Sequence, residues 1–77
     1  MPRDPLPDWV LTDLRAIGER IREARRDAGL SQAQLGELIG RDHKTVHRWE
    51  TAITHPSLPD LILIARALKR RIADLVQ

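Results

Sequence analysis

The chain contains no cysteine. Disulfide frameworks, thiolate zinc sites, iron–sulfur clusters and thiol catalysis are therefore excluded, and with nothing pointing to an oxidising compartment the expected location is the cytoplasm. Aromatic residues are nearly absent as well, two Trp with no Phe and no Tyr. The remaining apolar set is rich in Leu, Ile and Ala, which suits packed helices better than sheets. Long apolar runs are missing. The longest uncharged, mostly apolar stretch is Leu61 to Ala65, far below the roughly 18 residues of a membrane span, so no membrane partner is expected. The first residues carry prolines and no following apolar stretch, which does not fit a secretory signal. An excess of one charge is also lacking. Thirteen basic and eleven acidic side chains leave a net +2, too little by itself to announce a nucleic-acid partner.

What is present fits one small domain. A chain of 77 residues buries only about 60% of its unfolded surface, which leaves room for a single core and none for a two-domain enzyme. Prolines at 2, 5 and 7 make residues 1–8 an extended, flexible segment, with Asp8 as a helix cap and residues 9–77 as the domain. Val10, Leu14, Ile17, Ile21, Ala24 and Ala28 recur at steps of three and four, so they define the face of one amphipathic helix that stops at Gly29. The same spacing could form a short coiled-coil seam, but it lasts under three heptads. Thr12 could cap a shorter helix, and Gly18 weakens the middle. Ser31-Gln32-Ala33-Gln34 is a capping box opening a second helix, with Leu35, Leu38 and Ile39 toward the core and Gly40 as its end. Asp42 caps a third, from His43 to about Thr51, whose buried side is Val46 and Trp49. Ser57-Leu58-Pro59-Asp60 starts a fourth, running to about Leu68 with Leu61, Ile64, Ala65 and Leu68 inward. Ile72 and Leu75 continue as a short fifth. No strand alternation and no internal repeat is visible.

Two short helices joined by a tight glycine-containing turn, the second with an exposed polar face, form the helix-turn-helix arrangement. Beyond this pattern, Ile17 to Leu75 resembles the lambda-repressor-like, Cro-type regulators of the XRE family. The resemblance is carried by Leu30-Ser31-Gln32-Ala33-Gln34-Leu35, Ile39-Gly40, Thr45-Val46, Trp49-Glu50 and Leu61-Ile64-Ala65-Leu68, and it covers about three quarters of the chain. It implies an all-α, five-helix DNA-binding domain and a transcriptional regulator, most often a repressor. The chain departs from the family at Gly36, where Ala is usual, and at Arg41 in the turn. Ala52 stands where Gly usually follows the third helix, and Lys69-Arg70 replaces a Gly-apolar pair, so the last two helices are expected to run together.

The outer face of the third helix presents His43, Lys44, His47 and Arg48, because residues three apart share a face and intervening ones do not. A B-DNA major groove admits one helix, and Lys or Arg donates to guanine O6 and N7. The resemblance places base readers at His43, Lys44 and Arg48. Gln32 at the start of the second helix can join backbone amides in holding a phosphate, and the resemblance gives it that role. Arg41, Thr45 and His47 are further phosphate candidates, although an early helical Thr can also bond its own backbone. The resemblance also implies a structural salt bridge between Arg25 and Glu50, which would otherwise read as two separate surface charges. His43 and His47 stand at i and i+4, a metal-binding spacing, but Lys44 sits where a zincin has its Glu, and no metal is expected. Both imidazoles could instead make DNA contact depend on pH.

Three His, scattered Ser and carboxylates spread along helix faces supply no converging nucleophile and base, so neither enzymatic activity nor a cofactor is expected. The rival reading is an antitoxin-like module whose main partner is another protein, with DNA binding secondary. For the DNA reading, a homodimer is expected, because one helix in one groove sees only a few base pairs. Leu63 lies about 200° round from Leu61, away from the inner face. With Val76 and Trp9 it is a candidate for an isologous contact; alternatively, Trp9 lengthens the first helix and covers a monomer's core.

Overall fold

Pro7 ends the irregular start of the chain and occupies the N-cap position of the first helix, where its carbonyl accepts the amides of Val10 and Leu11. A computed structural model describes residues 5–77 and contains five helices: α1 (Asp8–Asp27), α2 (Gln32–Ile39), α3 (His43–Glu50), α4 (Leu58–Ala67) and α5 (Ile72–Val76). No strand occurs among the described residues. The expectation for residues 1–4 lies outside them. Asp8 is not a cap but the first helical residue, so the helix starts one position before the expected domain boundary. Its carboxylate lies in the first turn, the positive end of the helix dipole. Trp9 lengthens α1 but covers no core, being 68% exposed.

The core gathers one side of every helix. Ile21 and Ala24 of α1, Leu35 and Ile39 of α2, Val46 and Trp49 of α3, Ile64 and Ala65 of α4 with Leu68 just after it, and Leu75 of α5 are all buried. α2 packs against α3 and α4, while α1 packs against α3 and α5. Leu38 departs from its expected inward position and is exposed. The cause is Gly36, which is itself buried. At about 100° per residue, the buried face of α2 is centred between Leu35, Gly36 and Ile39, and that rotation turns Leu38 out. Ala28, counted with the face of the first helix, is exposed at its C-cap.

The helix ends follow one closing pattern. After α1, α3 and α4 a residue with positive φ reverses the chain: Gly29 (72°), Ala52 (59°) and Lys69 (55°). In each case the next amide bonds back five residues to the helix, Leu30 to Arg25, Ile53 to Arg48 and Arg70 to Ala65. These are Schellman closures. The one at Lys69 ends α4 and turns the chain so that α5 packs on α1. Contrary to expectation, the last two helices do not run together.

Candidate nucleic-acid interface

The position of α3 is fixed from three sides. At its start, the Asp42 carboxylate accepts the Thr45 amide at 2.8 Å. That bond holds the Asp42 carboxyl below the usual carboxylate range, helped by the Thr45 hydroxyl and by the charges of His43 and Arg48. Gly40, with φ 73°, shapes the turn from α2. At Gly36 the turn into α3 passes so close to α2 that a Cβ there would stand inside the contact distance of the Arg41 carbonyl oxygen.

At the other end, Gly18 of α1 lies against the last turn of α3. A Cβ at Gly18 would come within 2.7 Å of the Trp49 and Glu50 carbonyl oxygens, so this glycine, which weakens α1 by propensity, is what lets α3 approach. Beside it Arg25 and Glu50 form a buried two-pronged pair. Arg25 Nε donates to Glu50 Oε2 at 2.7 Å and Nη2 to Oε1 at 3.0 Å, while Nη1 donates to the Leu30 carbonyl at 2.7 Å. The Glu50 side chain is only 1% exposed. A carboxylate so deeply buried persists because both of its oxygens accept hydrogen bonds from the opposite charge.

The network continues to the surface. Gln32 Nε2 donates to Glu50 Oε1 at 3.2 Å and lies 3.3 Å from His47 Nδ1. Gln32 and His47 are thus joined through one amide to the pair that anchors α3. His43, Lys44, His47 and Arg48 all point outward and are exposed, and Thr45 is half-buried. Gln32, His43, Lys44, His47, Arg48 and Ile53 line one open depression of about 380 Å³.

Arg41 lies apart from this group. Its Nη2 and Nε donate to Asp60 Oδ1 at 2.8 and 3.3 Å, so it bridges the turn to the start of α4. Burial pushes the Asp60 carboxyl up, but hydrogen bonds from Arg41 and from the Ser57 hydroxyl and amide outweigh it and hold the carboxyl below its ordinary value. A phosphate could meet Arg41 only on the edge turned from Asp60.

Sequence reasoning missed three residues. Arg22 and Arg26 on α1 line a notch of about 160 Å³ together with Gln32, His47, Glu50 and Thr51. They stand one residue and one turn from Arg25 on α1, a signal that its predicted pairing with Glu50 already contained. Ile53 is brought to the depression by the closure after α3, which no helical periodicity reveals. Among the described residues, no three His, Asp, Glu or Cys side chains gather as a metal site would require, and no helix is long and apolar enough to cross a membrane.

The sequence profile of the helix-turn-helix domain matches residues 16–75, which includes the whole α2–turn–α3 unit and α4, with most of α1 and α5. The chain belongs to the helix-turn-helix family, in its lambda-repressor-like, Cro-type branch. An uncharacterised helix-turn-helix transcriptional regulator of Rickettsia prowazekii is 43% identical over 56 residues, covering 73% of this chain and 43% of the relative. The chain thus spans less than half the length of that regulator. Among solved structures, this helix-turn-helix domain is similar to the P22 c2 repressor in complex with a synthetic operator, with a TM-score of 0.75 and 31% identity, covering 79% of this chain and 92% of that one. It is also similar to the restriction-modification controller protein C.AhdI of Aeromonas hydrophila, with a TM-score of 0.79 and 36% identity, covering 83% and 97%.

Proposed function

We propose that this domain binds double-stranded DNA in a sequence-dependent way as the reading head of a transcriptional regulator, and that the regulator represses. One observation carries the proposal: four exposed donors, His43, Lys44, His47 and Arg48, stand on a helix whose opposite face is locked by Val46, Trp49 and the doubly bonded Glu50. A mobile row of cations would hold DNA without choosing a sequence. A row on a rigid mount presents its donors at fixed positions to base edges. The similarity to the P22 c2 repressor, solved on a synthetic operator, supports the same reading.

In this account His43, Lys44 and Arg48 contact bases, while Gln32, Arg41, Thr45 and His47 contact phosphates, and Arg25 with Glu50 holds the reading helix in place. Arg22 and Arg26 add positive charge beside Gln32. Two copies act together through Leu63 and Val76, both exposed, with Trp9 alongside. Binding of the full chain to a duplex carrying the region upstream of its own gene, followed by mobility shift across a salt series, tests the reading. Affinity should fall at a log–log slope of about −0.9 per neutralised phosphate. Arg48→Ala should cost about 1–3 kcal/mol on the preferred site and less on random duplex, whereas Gln32→Ala should weaken both alike. A chain with no salt-sensitive, sequence-preferring shift at micromolar concentration does not have DNA as its main ligand.

A further inference from the structure

The two carboxylate oxygens of Asp60 do different things. Oδ2 accepts the Ser57 amide at 3.3 Å and the Ser57 hydroxyl at 2.9 Å, which completes the start of α4. Oδ1 accepts Arg41 Nη2 at 2.8 Å and Nε at 3.3 Å, so it reaches out of α4 to the turn before α3. Arg41 is thereby held at both ends: its amide donates to the Gly36 carbonyl at 2.9 Å, and its guanidinium is fastened along the Nε–Nη2 edge. No bond among the described residues uses Nη1, and the arginine side chain is nearly half exposed whereas that of Asp60 is buried.

The open Nη1–Nη2 edge is a two-pronged donor, the fork by which arginine holds a phosphate. In a helix-turn-helix unit the second helix occupies the groove while the first crosses the backbone, so the turn that joins them carries this fork to the line of phosphates. A free arginine loses side-chain freedom when it meets a phosphate, whereas one already fastened has lost it on folding. We propose that Asp60 is a positioning residue for DNA binding: from α4 it holds the Arg41 guanidinium with the Nη1–Nη2 edge turned to a backbone phosphate. The inference rests on the DNA-binding reading above and adds to it a residue that itself touches no DNA.

A double-mutant cycle in the intact chain, read as affinity for the preferred duplex and for random duplex, tests this role. Arg41→Ala should weaken both alike and reduce the salt slope by about 0.9, the share of one phosphate. Asp60→Asn should weaken both by about two- to tenfold, the cost of ordering one long side chain on binding. In the Arg41→Ala chain the same Asp60→Asn change should cost no affinity, because the group it positions is gone. Arg41→Lys keeps the charge but not the fork, and it should lose about as much as Asp60→Asn. Affinities are read well below the melting temperature of each variant, followed by circular dichroism, so that a less stable chain is not counted as a weaker binder.

An Asp60→Asn loss of equal size with and without Arg41 would assign the effect to the packing of α4 and overturn the proposal. So would unchanged or tighter binding by Asp60→Asn, which would make the carboxylate a bystander or a competitor of the phosphate. Full affinity in Arg41→Lys would overturn it as well, and that result does not depend on the Asp60 variant folding. If salt-sensitive duplex binding persists in these cases, the DNA-binding reading survives and only the role of Asp60 falls. If the wild-type chain binds no duplex, both fall.

Discussion

Ala52 and Lys69 hold the left-handed conformation, at φ 59° and 55°, without being glycine. For an L-residue this region brings Cβ against the following carbonyl and costs about 1–2 kcal/mol, part of which a glycine returns through its larger unfolded-state entropy. Ala52→Gly and Lys69→Gly should therefore each stabilise the chain by about 1 kcal/mol, read as a rise of about 4–8 °C in melting temperature. A fall in either variant would mean that the native closure depends on the side chain. Gly36 makes the opposite case. Alanine has the better helix propensity by about 1 kcal/mol, yet a Cβ there would collide with the Arg41 carbonyl oxygen, and overpacking against backbone costs about 1–3 kcal/mol. Gly36→Ala should lower stability by about 1–2 kcal/mol in chemical denaturation; a stabilised variant would show that the α2–α3 turn can open freely. Caps and stops such as Ser31, Asp42, Gly40 and Ser57 were legible because their side chains or φ angles act within three residues of themselves. Gly36 was legible as a departure from the family's usual Ala, whereas Gly18 was legible only as a weak helix former, since the α3 carbonyls it admits come from a distant segment.

At the scale of elements, two ion pairs tie the reading unit to its neighbours, and they differ in what they reveal on titration. Arg25–Glu50 joins α1 to α3 deep in the protein, whereas Arg41–Asp60 joins the α2–α3 turn to α4 with its arginine side chain 47% exposed. The Asp60 carboxyl is held below its ordinary value of 3.8 in the folded chain. Folding therefore favours the carboxylate: the contribution is complete above that value and is lost as the pH falls below it, through the lowered folded value. Denaturation midpoints measured from about pH 6 to pH 2 should fall in wild type over this acid window. Asp60→Asn should be less stable at neutral pH and lose less on acidification. Parallel curves would assign the acid loss to other carboxylates, Asp42 first. The sequence predicted Ser57 and Asp60 as a helix start, and the structure adds Arg41 as a third member. Nothing in the spacing of residues 41 and 60 signals that bond, because it depends on how α2 and α4 cross. The reading face was more legible, because its four donors follow from one helical period and two buried anchors on the same eight residues.

For the whole molecule, the proposed role raises the question of how a helix of eight residues, about 12 Å long, would gain enough specificity to regulate. It meets only a few base pairs, and the usual remedy is a second copy reading a half-site about 34–36 Å away. Half of that spacing, about 17 Å, is comparable with the two shorter dimensions of the chain, 23 and 18 Å, so two copies side by side can place their α3 helices in successive grooves. The surface between them must be one that the core leaves apolar. On α4, Leu58, Ile62 and Leu63 are exposed, and Val76 at the end of α5 is 38% exposed. Trp9 is a further exposed apolar side chain that covers no core. Sequence reasoning singled out Leu63 from its angle to Leu61 but passed over Ile62 and Leu58, because a helix start with Pro59 reads as punctuation rather than surface. A charge at Leu63 would be desolvated twice in an isologous contact, once from each copy. Leu63→Glu should keep the wild-type fold by circular dichroism yet be monomeric by light scattering at tens of micromolar, where wild type is dimeric. It should lose affinity for a palindromic duplex while keeping the weak affinity for a single half-site. A wild-type chain that stays monomeric both free and on the palindrome would remove the dimer, and one copy of α3 would then have to carry the whole of recognition.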